Sequence, residues 1–77
     1  MWYIYALRSA KDGYLYVGIS SNPDKRLKQH NLGMTKSTKS RRPFEIIYQK
    51  ECKDRLDARN KEKYFKSGVG REFLKSL

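Results

Sequence analysis

Two early stretches of the chain read as strands when side chains are sorted by a two-residue period. In residues 2–8 both sets of positions are apolar, with Trp2, Ile4 and Ala6 on one side and Tyr3, Tyr5 and Leu7 on the other. A strand that is apolar on both sides is predicted to run through the middle of a sheet. Residues 14–20 place Leu15, Val17 and Ile19 on one face and Tyr14, Tyr16, Gly18 and Ser20 on the other, which predicts a strand with one polar-tipped face. Lys11-Asp12-Gly13 between the two runs predicts a hairpin. Gly18 leaves room for another group to approach the backbone. A third β-favouring run is Phe44-Glu45-Ile46-Ile47-Tyr48-Gln49.

Elsewhere the signals are helical. Asn22-Pro23-Asp24 predicts a helix start, with Asn as the cap, Pro in the first helical position and an acid in the first turn; this helix should end near Gly33. Arg26 and His30 lie one turn apart and share a face, with Leu27 turned towards the core. Lys53 or Asp54 is predicted to open a second helix running to about Lys66. Its apolar positions are Leu56, Ala58, Tyr64 and Phe65, and Glu62 falls on or beside that stripe. Ser67-Gly68-Val69-Gly70 is predicted to break the helix before a short last one over 71–77. The order is β-β-α-β-α-α, an α/β chain of the α+β kind. A three-stranded sheet with helices packed on it is the economical arrangement.

Seventy-seven residues suffice for one domain, 1–77, with a small, aromatic-rich core. Charge changes the picture more than length does. Eighteen Lys and Arg against eight Asp and Glu give a net charge of +10, which points to a polyanionic partner, most simply nucleic acid. The loop Met34-Thr35-Lys36-Ser37-Thr38-Lys39-Ser40-Arg41-Arg42-Pro43 is basic and hydroxyl-rich without apolar periodicity. Those residue types bind sugar-phosphate backbone. Lys36, Lys39, Arg41 and Arg42, with Lys25 and Lys66 on the helices, are the candidate phosphate contacts. The single cysteine, Cys52, forms no internal disulfide framework and fits a reducing compartment. The first residues lack a basic leader and no apolar run approaches 18 residues, so the cytoplasm is the expected location.

Five residues could do chemistry on a phosphodiester. Hydrolysis needs a cation for the phosphoryl oxygens, a base for the attacking water, and an acid or metal at the leaving oxygen. Arg26 suits the first role through its permanent charge and forked donors. Glu62 could hold a hydrated Mg²⁺, which takes few protein ligands. Tyr5 and Tyr16 lie on neighbouring strands, and tyrosine acts as a base only where a cation lowers its pKa. Taken singly, each has an ordinary reading: a tyrosine packs a strand, a lone histidine on a basic helix sits at the surface, and Glu62 pairs with Lys66 one turn on.

Together they are more specific. Tyr3-Ile4-Tyr5, Tyr16-Val17-Gly18, Arg26, His30 and Glu62 resemble the GIY-YIG nuclease superfamily over nearly the whole chain. His30-Asn31-Leu32-Gly33, the Lys36–Pro43 loop and Ala58-Arg59-Asn60-Lys61-Glu62-Lys63 are similar to its small stand-alone bacterial members. The resemblance implies a three-stranded antiparallel sheet flanked by helices and a metal-dependent endonuclease. It implies that Tyr16 activates or orients water and that Tyr5 supports it. Arg26 would bind the scissile phosphate, His30 would assist proton transfer or contact the leaving group, and Glu62 would ligate the metal. Tyr3 stands where the family name has glycine, and no asparagine follows Glu62, unlike in some larger members.

The leading expectation is therefore a Mg²⁺- or Mn²⁺-dependent DNA endonuclease acting on damaged, branched, nicked or single-stranded DNA in repair or recombination. The alternative is a non-catalytic nucleic-acid-binding module on the same scaffold. It accounts for the charge and the tyrosines but not for an inward-facing Glu62, which repels phosphate unless a cation stands between them.

Overall fold

The computed structural model describes all 77 residues. Its elements are β1 (Trp2–Ser9), β2 (Leu15–Ser20), α1 (Pro23–Asn31), β3 (Phe44–Cys52), α2 (Arg55–Lys66) and α3 (Gly68–Lys75), with a 3-10 turn over Lys39–Arg41. The strands form one antiparallel sheet in the order β2-β1-β3. The doubly apolar β1 is thus the central strand, as its pattern requires. The hairpin turn closes at Gly13, whose φ of +79° is the left-handed conformation that glycine adopts without strain. Ser9 Oγ accepts from the backbone N–H groups of Lys11 and Asp12 across the same turn.

The sheet separates two layers. Ile4, Ala6, Leu15, Val17 and Cys52 pack with Ala58 and Phe65 of α2 and Leu74 of α3. On the opposite face Tyr5, Leu7 and Phe44 pack with Tyr16, Ile46 and Leu27 of α1. One irregularity lets β3 serve both layers. Ala6 stands opposite Tyr48 and Leu7 opposite Ile46, so Ile47 is an extra residue. Because side-chain direction has a period of two, one inserted residue exchanges the faces. Phe44 and Ile46 therefore face α1, whereas Tyr48 and Cys52 face α2 and α3.

Capping fixes the helix starts. Asn22 Oδ1 accepts from Lys25 N–H at 3.1 Å with Pro23 in the first turn, and Asp54 Oδ1 accepts from Asp57 N–H at 2.8 Å. Of the four apolar positions of α2, Ala58 and Phe65 are buried while Leu56 and Tyr64 are exposed. The break before α3 is shorter than the glycine-rich run suggests. Ser67 alone interrupts the helices, and α3 already includes Gly68, Val69 and Gly70. Gly70 is there for contact: a Cβ at this position would stand 2.2 Å from the Tyr64 carbonyl oxygen and 2.5 Å from Phe65 Cα. Glycine lets the first turn of α3 lie directly on the backbone of α2.

Candidate active site

The site grows from the pairing of β1 with β2. Tyr5 lies opposite Gly18 in the ladder, and a Cβ at Gly18 would stand 2.8 Å from Tyr5 Oη and 3.1 Å from Tyr16 Cε2. The group that the glycine admits is therefore the Tyr5 ring. Its side chain is fully buried, and its ring centre lies 6.4 Å from that of Tyr16, which is half-buried on the same face.

Helix α1 brings the cation. Arg26 is half-buried and donates from Nη1 to Gln29 Oε1 at 2.7 Å. Its guanidinium lies beside the tyrosine hydroxyls. Interaction with Tyr5 raises the arginine's pKa, with burial acting in opposition. Burial pushes the Tyr5 hydroxyl above its ordinary value near 10, and Arg26 opposes that push. Tyr5 therefore stays protonated at neutral pH. It is suited to donate a hydrogen bond, not to serve as a base.

His30 departs from the surface position usual for a lone histidine on a basic helix. It is 0% exposed, because the Arg26–His30 stripe of α1 turns inward onto the sheet. Its ring centre lies 4.6 Å from Tyr16 and 6.0 Å from Phe44. Nδ1 is 2.8 Å from Thr38 Oγ1, and Nε2 is buried with no hydrogen-bond partner. Burial, reinforced by the Arg26 charge, lowers the imidazole's pKa below its ordinary 6.5, so the ring is neutral at pH 7.

Glu62 comes from α2, on the stripe that carries Ala58 and Phe65. Its side chain is only 17% exposed; Oε1 lies 3.5 Å from Arg59 Nε and Oε2 3.1 Å from Lys66 Nζ. Both the helix ion pair and the inward placement are thus present. The carboxylate is close enough to the opposite layer for its charge to add to the upward shift of Tyr5. No group of three or more His, Cys, Asp or Glu side chains gathers anywhere. Glu62 is the carboxylate available at this site, and a single carboxylate fits a hydrated Mg²⁺ or Mn²⁺ completing its shell with water and substrate phosphate. Such an ion would compete with Arg59 and Lys66 for the same oxygens.

The basic residues divide. Lys25, Lys36 and Lys39 are exposed and free of ion pairs. Arg42 is exposed, donates from Nε to the Lys39 carbonyl at 2.9 Å and lies against Gly33. Arg41 is committed elsewhere, with Nη1 2.6 Å from Asp12 Oδ2 and the guanidinium 4.2 Å above the Tyr14 ring. Lys66 is held by Glu62. The loop itself has internal structure that its composition hides. Asn31 donates to the Phe44 carbonyl at 3.1 Å and accepts from Phe44 N–H at 2.6 Å, and Thr38 is buried inside it. Asn31, Gln29 and Thr38 were not among the candidate residues. Only the sequence position of Asn31, directly after His30, offered a hint.

Residues 1–73 match the model of the GIY-YIG catalytic domain. The chain belongs to the GIY-YIG family. It is 36% identical over 76 residues to a UPF0213 protein of Staphylococcus saprophyticus, covering 97% of this chain and 92% of the relative. It is 38% identical to a UPF0213 protein of Pediococcus pentosaceus, covering 99% and 80%. A UPF0213 protein of Desulfotalea psychrophila is 38% identical over 79% of this chain, and the match spans 56% of that relative. The solution structure of a UPF0213 protein from Bacillus halodurans superposes with a TM-score of 0.57 at 33% identity, covering all of this chain and 85% of that one. The GIY-YIG family is a family of nucleases, and the two-layer sheet described above is this chain's version of its catalytic domain.

Proposed function

We propose that the protein is a divalent-metal-dependent DNA endonuclease whose site comprises Tyr5, Tyr16, Arg26, His30 and Glu62. The observation that carries this reading is the meeting of elements from both layers. Arg26 of α1 lies beside the hydroxyls of two tyrosines from different strands, while a mostly buried carboxylate from α2 is near enough for its charge to act on Tyr5. A surface that only binds backbone has no use for a buried neutral imidazole or for an inward acid.

In this mechanism Arg26 takes the scissile phosphate and stabilises the charge that develops on its oxygens. Tyr16, the more accessible tyrosine, orients the attacking water through its hydroxyl. Tyr5, held protonated by burial, hydrogen-bonds within the site and supports Tyr16 and Arg26. The neutral His30, whose ring packs against that of Tyr16, would assist proton transfer or contact the leaving group. Glu62 would hold Mg²⁺ or Mn²⁺, which supplies Lewis-acid stabilisation when bound. Lys25, Lys36, Lys39 and Arg42 would track the flanking phosphates. Damaged, branched, nicked or single-stranded DNA, met in repair or recombination, would be the substrate.

The test is incubation of the purified protein with nicked, branched, single-stranded and duplex DNA in Mg²⁺, Mn²⁺ or chelator. Cleavage that needs the metal and disappears in Glu62→Ala is expected. Cleavage in chelator, or undiminished in Glu62→Ala, would overturn the metal-dependent mechanism. Salt-sensitive binding without cleavage of any substrate would return the chain to a binding module.

A further inference from the structure

We propose that Thr38 is the positioning residue for His30: its hydroxyl accepts from Nδ1–H and so leaves Nε2 as the bare nitrogen of the imidazole. The proposal rests on the reading above for its catalytic meaning, but the tautomer it assigns can be measured without any reaction.

The hydrogen-bond inventory around the two side chains sets the direction. Thr38 has one hydroxyl proton, and the Thr35 carbonyl is available to it, 3.3 Å from Oγ1. The Thr38 backbone N–H donates to the same carbonyl at 3.1 Å, closing a turn that holds the threonine in place. With its proton directed to Thr35, Oγ1 has lone pairs left to accept from Nδ1 at 2.8 Å. Were the hydroxyl to donate to Nδ1 instead, the imidazole proton would sit on Nε2. That atom is buried and has no acceptor. The Thr38 hydroxyl would still be satisfied, by Nδ1, but the Nε2–H donor would be left buried without a partner, whereas the first arrangement satisfies both donors.

The consequence is chemical. A neutral imidazole has one proton and one lone pair, and the bond made by one nitrogen decides what the other can do. With Nδ1–H tied to Thr38, Nε2 can accept a proton, and its ring lies 4.6 Å from that of Tyr16. Thr38 is 1% exposed, so it makes no contact with DNA and acts through His30 alone. The basic loop thus has two tasks: its lysines face solvent, while its buried threonine fixes the histidine from behind.

His30 is the only histidine in the chain, so a two-bond ¹H–¹⁵N correlation spectrum of the ¹⁵N-labelled protein reports its tautomer without assignment. The expected wild-type pattern is protonated Nδ1 and unprotonated Nε2 at pH 7. Thr38→Val keeps the shape and removes the acceptor; it should move the pattern towards Nε2–H. It should also slow single-turnover cleavage about tenfold at saturating DNA with affinity unchanged. Thr38→Ser should restore both. A wild-type spectrum with Nε2–H, or a Thr38→Val spectrum identical to the wild type, would overturn the assignment. If Thr38→Val fails to fold, the wild-type and Thr38→Ser spectra still decide. If the protein cuts no DNA while the spectrum shows Nδ1–H, the nuclease reading falls and the tautomer assignment stands.

Discussion

Between the sheet and α2–α3 lie Ile4, Ala6, Leu15, Val17, Cys52, Ala58, Phe65 and Leu74, every one apolar. Between the sheet and α1 the fully apolar buried residues are Leu7 and Phe44, and the remaining space holds Tyr5, His30, Thr38 and part of Arg26. The first layer is an ordinary core. The second buries a cation's edge, a hydroxyl and an imidazole with an orphan nitrogen, each of which opposes folding when dehydrated. Departures of this kind from core-building rules concentrate where function requires them. Apart from Glu62, which α2 contributes to the site, the two layers therefore divide stability from chemistry, and the division can be attacked from either side.

The largest effect should come from the apolar layer. Phe65 is buried against Tyr48, Tyr64 and Phe73, with ring centres 5.1, 5.1 and 6.0 Å away. Phe65→Ala should cost about 3–5 kcal/mol, a large share of what a domain this small possesses; thermal or urea unfolding measures it. Two glycines then sharpen the contrast. Gly70→Ala drives a Cβ into backbone that cannot yield, so α3 must lift from α2, and the loss should exceed about 2 kcal/mol. Gly18→Ala instead meets the far end of the Tyr5 side chain. It should destabilise by about 1 kcal/mol but displace Tyr5 and reduce cleavage disproportionately. Equal ratios of activity loss to stability loss in the two variants would contradict the division.

Smaller effects follow from protonation. His30 has a lowered pKa in the folded state, so the unfolded chain binds the extra proton as pH falls below 6.5. Stability should be complete above that value and fall on acidification until the lowered folded pKa is reached. The slope approaches about 1.4 kcal/mol per pH unit within that window. Tyr5 works at the other end. Its raised pKa means that stability declines as pH rises above about 10, where the unfolded chain loses the proton first. Unfolding of His30→Gln and Tyr5→Phe across pH should lack the acid and alkaline slopes respectively. The smallest test concerns the basic loop. Lys36→Ala should reduce the salt slope of DNA binding by about one, as loss of one phosphate contact does. Arg41→Ala should change it less, because Arg41 is paired with Asp12.

Much of this layout was legible in the sequence. The doubly apolar β1 identified the central strand, and the Asn22-Pro23-Asp24 signal fixed α1 and hence the shared face of Arg26 and His30. The inward placement of Glu62 followed from its position between Ala58 and Phe65. What was hidden depends on pairs of elements. The β3 bulge at Ile47 is a property of strand pairing, not of β3 alone. Gly70 reads as a helix breaker until the closeness of α2 is known. Thr38 has nothing local to distinguish it from Thr35, Ser37 or Ser40 in a hydroxyl-rich loop. The burial of His30 against it appears only when that loop folds back over α1. Arg41 looked like its neighbours, yet Asp12, on a distant turn, claims it.

On the proposed reading, the site cuts DNA with Tyr16 at its chemical centre. Removal of the single Tyr16 hydroxyl tests it most directly, through single-turnover cleavage and DNA affinity of the wild type and Tyr16→Phe in Mg²⁺. The expected rate is lower by about 10²–10⁴-fold with affinity changed less than about threefold. A Tyr16→Phe protein that cleaves at the wild-type rate, or one whose lost activity is matched by lost binding, would contradict it.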